Sequence, residues 1–248
     1  MKYEVEIKEM CLTTKNKYIY GRAYIPQSDD KKYKTVILSH GYNSSYMHVE
    51  DMANYLAQNG IFAYCYDFCG GSTISKSKGN PLDMSIKTEC DDLKDVITMV
   101  KKLEYIDTDK LYLYGESQGG FVSALTAAEN PNICNGLFLL YPAFCIPDDW
   151  KKLCENGVPD TFELMEMTLS SKFYYELPEY DVFERMKNYC NRVEIAHGDA
   201  DGLVSLDYSK KLNKCFPNSN LVIYPNEGHG FSEPSRIKLR EQVLNFVK

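Results

Sequence analysis

A serine lies between glycines in the segment GESQGG, residues 115–120, where an apolar run, LYLY, gives way to a helical pattern, FVSALTAA. Gly115, Ser117 and Gly119 form a G-x-S-x-G motif, and a strand before it and a helix after it are the context in which this motif carries a nucleophile. The turn strains the serine backbone, and the following helix N-terminus favours negative charge. The segment therefore predicts that Ser117 is a nucleophile, the alternative being an ordinary strand-to-helix turn.

A serine hydroxyl is a weak nucleophile at neutral pH and needs a general base, and the chain has four histidines. His40 and His197 each end a predicted strand and are expected to orient their own loops. His48 starts a predicted helix and is expected to be solvated. His229 lies in NEGHGF after the last strand, where flanking glycines allow its loop to reach back over Ser117. We therefore predict His229 as the base.

The imidazole of such a base must be held in one tautomer by a carboxylate. The segment HGDADGLV offers Asp199 and Asp201. Asp201 is favoured because a short apolar anchor, Leu203-Val204, follows it closely. Asp199 lies nearer the strand and is expected to form the turn or to accept a hydrogen bond within the loop.

Backbone N–H groups are expected to stabilise the oxyanion that forms when a serine attacks a carbonyl carbon. One donor is predicted to be Gln118, the residue after the nucleophile. The other is predicted to be Tyr42, which follows His40-Gly41 after the strand TVILS. Because both roles belong to the main chain, the Tyr42 ring is free to line the pocket.

Alternating strands and helices are expected to position these groups. YEVEIKEM and YIYGRAYIP predict an antiparallel ribbon, and from TVILSH onward strands alternate with helices over about 46–59, 85–104 and 205–216 and from Ser235. This pattern predicts an α/β fold with a mostly parallel sheet of about eight strands, covered by helices on both faces. Sites in such sheets collect at the carboxyl ends of the strands.

The alternation is interrupted between Pro142 and Arg192, where helical pieces rich in aromatic residues occur and no strand is expected. A regular crossover needs far fewer residues. We interpret about 143–180 as a short helical cap inserted into a single domain that spans 1–248. Trp150, Tyr174 and Tyr175 are candidate substrate contacts, the alternative being that they form the cap's own core.

Composition excludes several other classes of protein. A net charge of −7 argues against nucleic acid and against an anionic membrane. No stretch approaches a membrane span of about 18 apolar residues, and the N-terminus does not resemble a secretory signal, so a cytoplasmic location is expected. The nine cysteines are expected to be reduced, buried thiols. A zinc site at Cys65 and Cys69 is the less favoured alternative.

Taken together, HGY, DFCGGS, GESQGG, HGDADGLV and GHGF resemble the α/β-hydrolase superfamily over essentially the full chain. Within it, the chain looks like the serine esterase branch that includes feruloyl (cinnamoyl) esterases. The resemblance implies a triad of Ser117, Asp201 and His229, an oxyanion hole of the Tyr42 and Gln118 N–H groups, and no cofactor or metal. Similar esterases often have His before the nucleophile and Phe after the HG pair, where this chain has Glu116 and Tyr42.

The expected activity is hydrolysis of small, aromatic, hydroxycinnamate-type carboxylic esters through an acyl-enzyme. A peptidase or amidase of the S33/S9 type and a monoacylglycerol lipase are the enzyme alternatives. A non-catalytic binding protein with a hydrolase fold is the least favoured alternative. The expected partner is a small-molecule ester, and a homodimer is a further expectation.

Overall fold

A computed structural model of the chain describes residues 2–28 and 30–248. Within these ranges lie twelve strands, eight α-helices and two short 3₁₀ helices. The strands are β1 Val5–Glu9, β2 Leu12–Thr13, β3 Tyr18–Ile19, β4 Gly21–Pro26, β5 Tyr33–Ser39, β6 Phe62–Tyr66, β7 Ile106–Glu116, β8 Gly136–Leu140, β9 Thr161–Leu164, β10 Met167–Ser170, β11 Arg192–Gly198 and β12 Ser219–Tyr224. The α-helices are α1 Tyr46–Gln58, α2 Ile86–Lys101, α3 Gln118–Glu129, α4 Ile146–Leu153, α5 Lys172–Tyr175, α6 Val182–Arg185, α7 Leu206–Cys215 and α8 Glu233–Val247. The 3₁₀ helices are Pro81–Asp83 and Met186–Asn188.

Eight of the strands form one twisted sheet in the order β1-β4-β6-β5-β7-β8-β11-β12. The six strands from β6 to β12 in that order run parallel to one another. β1 and β4 form the antiparallel ribbon at one edge. The predicted α/β class and mostly parallel sheet are therefore confirmed.

Helices cover both faces of this sheet, so its central strands are apolar throughout. In β6, Phe62, Tyr64 and Tyr66 pack into the core beneath α2 and α3, while Ala63 and Cys65 face α1 and α8. All five side chains are buried. A continuous apolar run is the pattern expected of a strand that is buried on both faces.

Helix α2 shows how local sequence sets an element that supports the site. The Ser85 side chain accepts from the Thr88 N–H while the Thr88 hydroxyl lies 2.9 Å from the Ser85 N–H, which closes a capping box. An N-cap of this kind is worth about 1 kcal/mol. Apolar residues at three- and four-residue steps then bury one face against the sheet. The observed bounds confirm the helix predicted over about 85–104.

The interruption of the alternation spans residues 141–191, between β8 and β11. The expected helices are present as α4, α5 and α6, but the segment also contains a β-hairpin of β9 and β10, so the expectation of no strand there was wrong. In the segment TFELMEMTLS, polar and apolar residues alternate, which indicates strands. The helical interpretation overlooked this pattern. Trp150 packs against Phe162 and Phe173 with ring centroids 4.6 and 4.7 Å apart, which joins α4 to the hairpin and α5.

Among the described residues, no helix is long and apolar enough to cross a membrane. All nine cysteines belong to the described part of the chain and are free thiols. The Cys65 thiol is directed at the Arg22 carbonyl and the Cys69 thiol at the Tyr18 carbonyl. Burial raises the pKa of the Cys69 thiol to about 12.

Candidate active site

Ser117 occupies a sharp turn between β7 and α3. Its backbone has φ 52° and ψ −119°, a region that residues other than glycine rarely adopt. The Ser117 N–H donates to the Leu140 carbonyl at 3.0 Å, and the Ser117 carbonyl accepts from the Ala143 N–H at 3.0 Å. These bonds to the end of β8 hold the strained turn in place.

The two glycines of the motif are required by close backbone packing. A Cβ at Gly115 would collide with the Gly119 carbonyl, and a Cβ at Gly119 would collide with the His40 carbonyl. Neither position has space for any side chain. The two glycines therefore leave room for the backbone that surrounds Ser117.

The structure brings Ser117, Asp201 and His229 together from loops that are distant in the sequence. His229 Nδ1 lies 2.8 Å from Asp201 Oδ2, and His229 Nε2 lies 3.0 Å from Ser117 Oγ. With the imidazole proton on Nδ1, His229 donates to the carboxylate and accepts from the serine hydroxyl. This is the hydrogen-bonded order that a general base next to a nucleophile requires.

The Asp201 carboxylate is fully enclosed, with side-chain exposure of 0%. Burial alone would raise its pKa, but hydrogen bonds from His197 and His229 and from the N–H groups of Leu203 and Val204 hold that pKa well below its usual value. Asp201 is therefore ionised at neutral pH, which is the state that stabilises an imidazolium beside it.

The other acid and histidine candidates occupy supporting positions. Asp199 accepts from the Asn226 N–H at 2.6 Å and so joins the loops after β11 and β12. Buried His40 donates from Nδ1 to the Gly41 carbonyl at 2.7 Å, and buried His197 lies 3.2 Å from Asp201. His48, expected to be solvated, is 44% exposed and lies 3.2 Å from the Glu116 carboxylate, which raises the His48 pKa.

The loop after β5 lies directly against the nucleophile. A Cβ atom built on Gly41 would lie 3.3 Å from Ser117 Cβ. Tyr42 is the next residue in the chain, and it therefore lies close to the turn that carries Ser117. Among the described residues, the N–H groups of Tyr42 and Gln118 donate to no protein acceptor. Both N–H groups are therefore available to an oxyanion, as the sequence predicts, although their role remains a prediction.

Behind Gln118 lies a buried carboxyl group that the sequence did not indicate. The Gln118 side-chain amide donates to Glu89 Oε2 at 2.9 Å. Burial raises the pKa of Glu89 to about 8, with nearby Asp92 adding to the shift and the hydrogen bond from Gln118 opposing it. This raised pKa favours the protonated form of Glu89, and Glu89 Oε2 accepts from the side chain of Gln118, a predicted oxyanion-hole residue. The sequence contained a feature that could have identified Glu89. It lies among the apolar residues on the buried face of α2, and a carboxyl group at such a position must be buried.

Tyr141 is a second residue that the sequence did not indicate. It directly follows β8, has φ 35°, and packs its ring against His229 with centroids 4.3 Å apart. Glu116 Oε1 accepts from Tyr114 at 2.6 Å, and Glu116 Oε2 lies 3.5 Å from the Tyr141 hydroxyl. The rule that sites collect after parallel strands would have identified Tyr141.

An apolar cavity of about 280 Å³ opens beside Ser117. This volume is near the lower end of the range of about 300–1,000 Å³ that is typical of ligand pockets. Tyr42 and Gln118 line it on the sheet side. The other side, which we call the cap side, is formed by the segment inserted between β8 and β11 and includes the exposed carboxylate of Asp149. Its large apolar residues are Ile146, Trp150, Leu153, Leu164, Met165 and Phe173.

The three aromatic residues predicted as substrate contacts separate into two groups. Trp150, 5% exposed, lines the cavity beside Ser117. Tyr174 and Tyr175 line a different cavity of about 620 Å³ on the other side of α4 and α5, so the structure does not bring them to the cavity beside Ser117, and their contact with a substrate stays a prediction. In α5 it is Phe173 that faces Ser117. A short helix presents successive side chains in different directions, and the sequence does not say which of them faces the site.

Comparison with known proteins identifies the family. A family model described as Serine aminopeptidase, S33, matches residues 30–179. The chain belongs to this family of α/β hydrolases. The matched residues contain Ser117 and both predicted oxyanion-hole residues.

Individual relatives are distant. The uncharacterized protein YfhR of Escherichia coli O157:H7 is 22% identical over 90% of this chain and 74% of its own length. The structure of Est1E from Butyrivibrio proteoclasticus with bound ferulic acid has a TM-score of 0.87 and 23% identity, covering 96% of this chain and 97% of Est1E. A putative dipeptidyl aminopeptidase IV from Bacteroides ovatus ATCC 8483 has a TM-score of 0.73 and 18% identity, covering 98% of this chain and 35% of that one. At these identities the structural likeness establishes the α/β-hydrolase fold.

Proposed function

We propose that this protein is a serine carboxylic-ester hydrolase that acts through an acyl-enzyme on small esters with an aromatic, hydroxycinnamate-type acyl group. The observation that carries the proposal is the chain of hydrogen bonds from Asp201 through His229 to Ser117, which ends at the mouth of an apolar cavity. Such a chain activates a serine, and such a cavity accepts a flat apolar group.

Acylation follows from these positions. Ser117 Oγ attacks the ester carbonyl carbon while His229 Nε2 takes the hydroxyl proton. The N–H groups of Tyr42 and Gln118 donate to the oxyanion. When this intermediate collapses, the bond to the alcohol oxygen breaks and the alcohol leaves with the proton from His229. The acyl group remains bound to Ser117 as an ester.

Deacylation uses the same groups with water in place of the alcohol. His229 Nε2 takes a proton from the water as its oxygen attacks the acyl carbon, and the returning proton restores the Ser117 hydroxyl as the acid leaves. Asp201 stays ionised in both halves of the reaction. The hydrogen bonds that lower the pKa of Asp201 support this role.

The cap side of the cavity supports an aromatic acyl group. Trp150 and Phe173 line the space beside Ser117, and their rings pack against each other with centroids 4.7 Å apart. Aromatic pairs contribute about 0.5–1.5 kcal/mol beyond the burial of their area. The bound ferulic acid named for Est1E belongs to that protein and supports, for this chain, only the choice of the first substrate to test.

The test compares methyl ferulate with p-nitrophenyl acetate, butyrate and octanoate, using Ser117→Ala as the matched control. We expect the highest kcat/KM for methyl ferulate and no activity above background in the variant. A preference for octanoate would favour the lipase alternative, and activity in Ser117→Ala would overturn the proposed nucleophile. If no ester reacts and a fluorophosphonate does not label Ser117, the non-catalytic alternative replaces the proposal.

A peptidase or amidase is the second candidate, and a specific observation favours it. Asp149 is exposed and lines the same cavity, where its carboxylate is suited to bind the ammonium group of an aminoacyl substrate. The family model's description also names an aminopeptidase. An aminoacyl p-nitroanilide measured beside the matching aminoacyl ester separates the two activities. If the anilide is the better substrate and Asp149→Asn removes that activity, the peptidase replaces the esterase.

A further inference from the structure

The loop that carries the Tyr42 N–H is tied by side chains to the tip of the cap hairpin. The Tyr42 hydroxyl donates to the Leu164 carbonyl at 2.9 Å. The Asn43 side-chain amide donates to the Met165 carbonyl, also at 2.9 Å. Both hydrogen bonds join segments that are 122 residues apart in the chain. We call this pair of bonds the hairpin tie.

The hairpin tip is strained where the tie holds it. Met165 has φ 43° and Glu166 has φ 65°. A two-residue hairpin turn with both φ angles positive normally uses Asn and Gly. Strained residues of this kind persist only where surrounding structure holds them. The Asn43 amide provides one such contact on the Met165 carbonyl.

The rest of the hairpin is anchored independently of the tie. In β10, Met167 and Leu169 are buried in the core, and the Ser170 hydroxyl donates to the Leu82 carbonyl. In contrast, Met165 at the tip is 55% exposed. The tie therefore acts on the part of the hairpin that has the least other support.

The same tip also forms part of the cavity wall. Leu164 and Met165 line the cavity beside Ser117, together with Tyr42. An acyl group that fills this cavity would contact the hairpin tip, while an acetyl group on Ser117 would leave most of the cavity volume empty. Contact with the tip and placement of the Tyr42 N–H are thus connected through two hydrogen bonds.

We propose that Tyr42 is a positioning residue. Its hydroxyl, together with the Asn43 amide, couples contact between the acyl group and the hairpin tip to the placement of the Tyr42 N–H, which donates to the oxyanion. This inference rests on the proposed function and adds a determinant of acyl selectivity to it. The hairpin tip recognises the acyl group, and the tie transmits that contact to the backbone donor. The enzyme then favours large acyl groups in kcat as well as in KM.

Tyr42→Phe is the direct kinetic test, because it keeps the ring and the backbone N–H and removes only the hydroxyl. The net worth of one hydrogen bond corresponds to roughly threefold to tenfold in an equilibrium. We expect the ratio of kcat for methyl ferulate to kcat for p-nitrophenyl acetate to fall by that factor. Asn43→Gly, which suits the φ of 45° at this position, should lower the same ratio. A rise in KM for methyl ferulate with an unchanged kcat ratio would mean that the hydroxyl only shapes the pocket, and would overturn the proposal.

Tyr208→Phe is the matched control. The Tyr208 hydroxyl donates to Asp148 at 2.9 Å, so it also joins the body of the protein to the cap, but at α4 rather than at the hairpin. Loss of this hydroxyl should leave the kcat ratio unchanged. An equal fall in Tyr208→Phe would show a general loosening of the cap and would count against a specific tie.

Amide hydrogen exchange tests the tie without any substrate. In Tyr42→Phe, exchange should accelerate by roughly threefold to tenfold at both 41–44 and 164–167, and in Tyr208→Phe at neither. Joint acceleration in a protein that hydrolyses no ester would refute the proposed function while retaining the tie. Unchanged exchange in a protein that does hydrolyse esters would refute the tie and retain the function.

Discussion

The two sides of the cavity beside Ser117 are built by different kinds of structure. On the sheet side, Ser117 follows β7, Tyr42 follows β5 and His229 follows β12, so each group sits where a parallel strand ends. On the cap side, Trp150 and Leu164 come from a helix and a hairpin inserted between β8 and β11. The sheet side presents polar groups, and the cap side presents mainly apolar surface together with the Asp149 carboxylate.

Under the proposed function, this difference divides the reaction and the acyl selectivity between the two sides. Strand ends are held by the hydrogen-bonded sheet, so they can fix reacting atoms within hydrogen-bond distance. The cap contacts the sheet through apolar packing and a few side-chain bonds, so its shape can vary without moving the triad. Changes on the sheet side should lower kcat, and changes on the cap side should alter which acyl group is preferred.

The largest expected effect is the loss of the proposed nucleophile. Ser117→Ala should lower kcat by about 10⁴-fold or more. Ser117→Gly should be equally inactive but more stable than Ser117→Ala by about 1 kcal/mol, because glycine adopts the φ of 52° without strain. Ester hydrolysis and urea unfolding of both variants check these expectations. Equal stability would indicate that the turn is not strained.

The next effect separates the two acids of the loop after β11. Asp201→Asn should lower kcat by about 10⁴-fold, since the amide favours the wrong tautomer of His229. Asp199→Asn should cost far less, because the Asp199 carboxylate accepts from the Asn226 N–H and not from His229. Steady-state kinetics of the two variants rank them. The reverse ranking would transfer the acid role to Asp199.

The next prediction concerns how Glu89, which lies behind the predicted oxyanion-hole residue Gln118, affects the free energy of unfolding. Its pKa rises from 4.5 unfolded to about 8 folded, so above about pH 4.5 the folded protein keeps a proton that the unfolded chain has released. Stability from this group therefore falls as pH rises from about 4.5 to 8, by up to a few kcal/mol. Glu89→Gln can keep the bond to Gln118 and should remove this decline.

Urea unfolding at pH 5 and pH 8 measures the effect of Glu89→Gln. The free energy of unfolding of Glu89→Gln, minus that of the wild type, should be larger at pH 8 than at pH 5. Asp91→Asn, which alters an exposed carboxylate on the same helix, is the control. If Glu89→Gln shows the same pH dependence as the wild type, then Glu89 is ionised in the folded protein at neutral pH.

The smallest effect is expected on the cap side. Trp150→Leu keeps apolar bulk but removes the ring, and should raise KM for methyl ferulate by roughly threefold to tenfold without raising KM for p-nitrophenyl butyrate. Tyr175→Leu, at a residue 67% exposed and outside this cavity, should change neither value. An equal fall in kcat for both esters in Trp150→Leu would break the division between the two sides.

Much of the framework could be predicted because its signals are local. Apolar strands alternating with amphipathic helices imply a parallel sheet, and that sheet implies a site at its carboxyl edge. The pattern around Ser117 contains the strand, the turn and the helix in one short segment. In the cap, the β-hairpin and the direction of Tyr174 and Tyr175 were missed, because short irregular elements have weak periodicity and their packing partners are distant in the chain.

The sequence by itself determined the fold class, the strained turn at Ser117 and the small set of residues from which an acid and a base could come. Backbone sterics explain this, since only glycine fits at Gly115 and Gly119 beside the carbonyls that crowd them. The sequence also favoured Asp201 over Asp199, and the structure shows that Asp201 reaches His229. The tertiary structure alone decided that Glu89 lies buried behind Gln118 and that Tyr42 reaches the hairpin. These pairings depend on distances between segments far apart in the chain, which are set only when the sheet and the cap pack together.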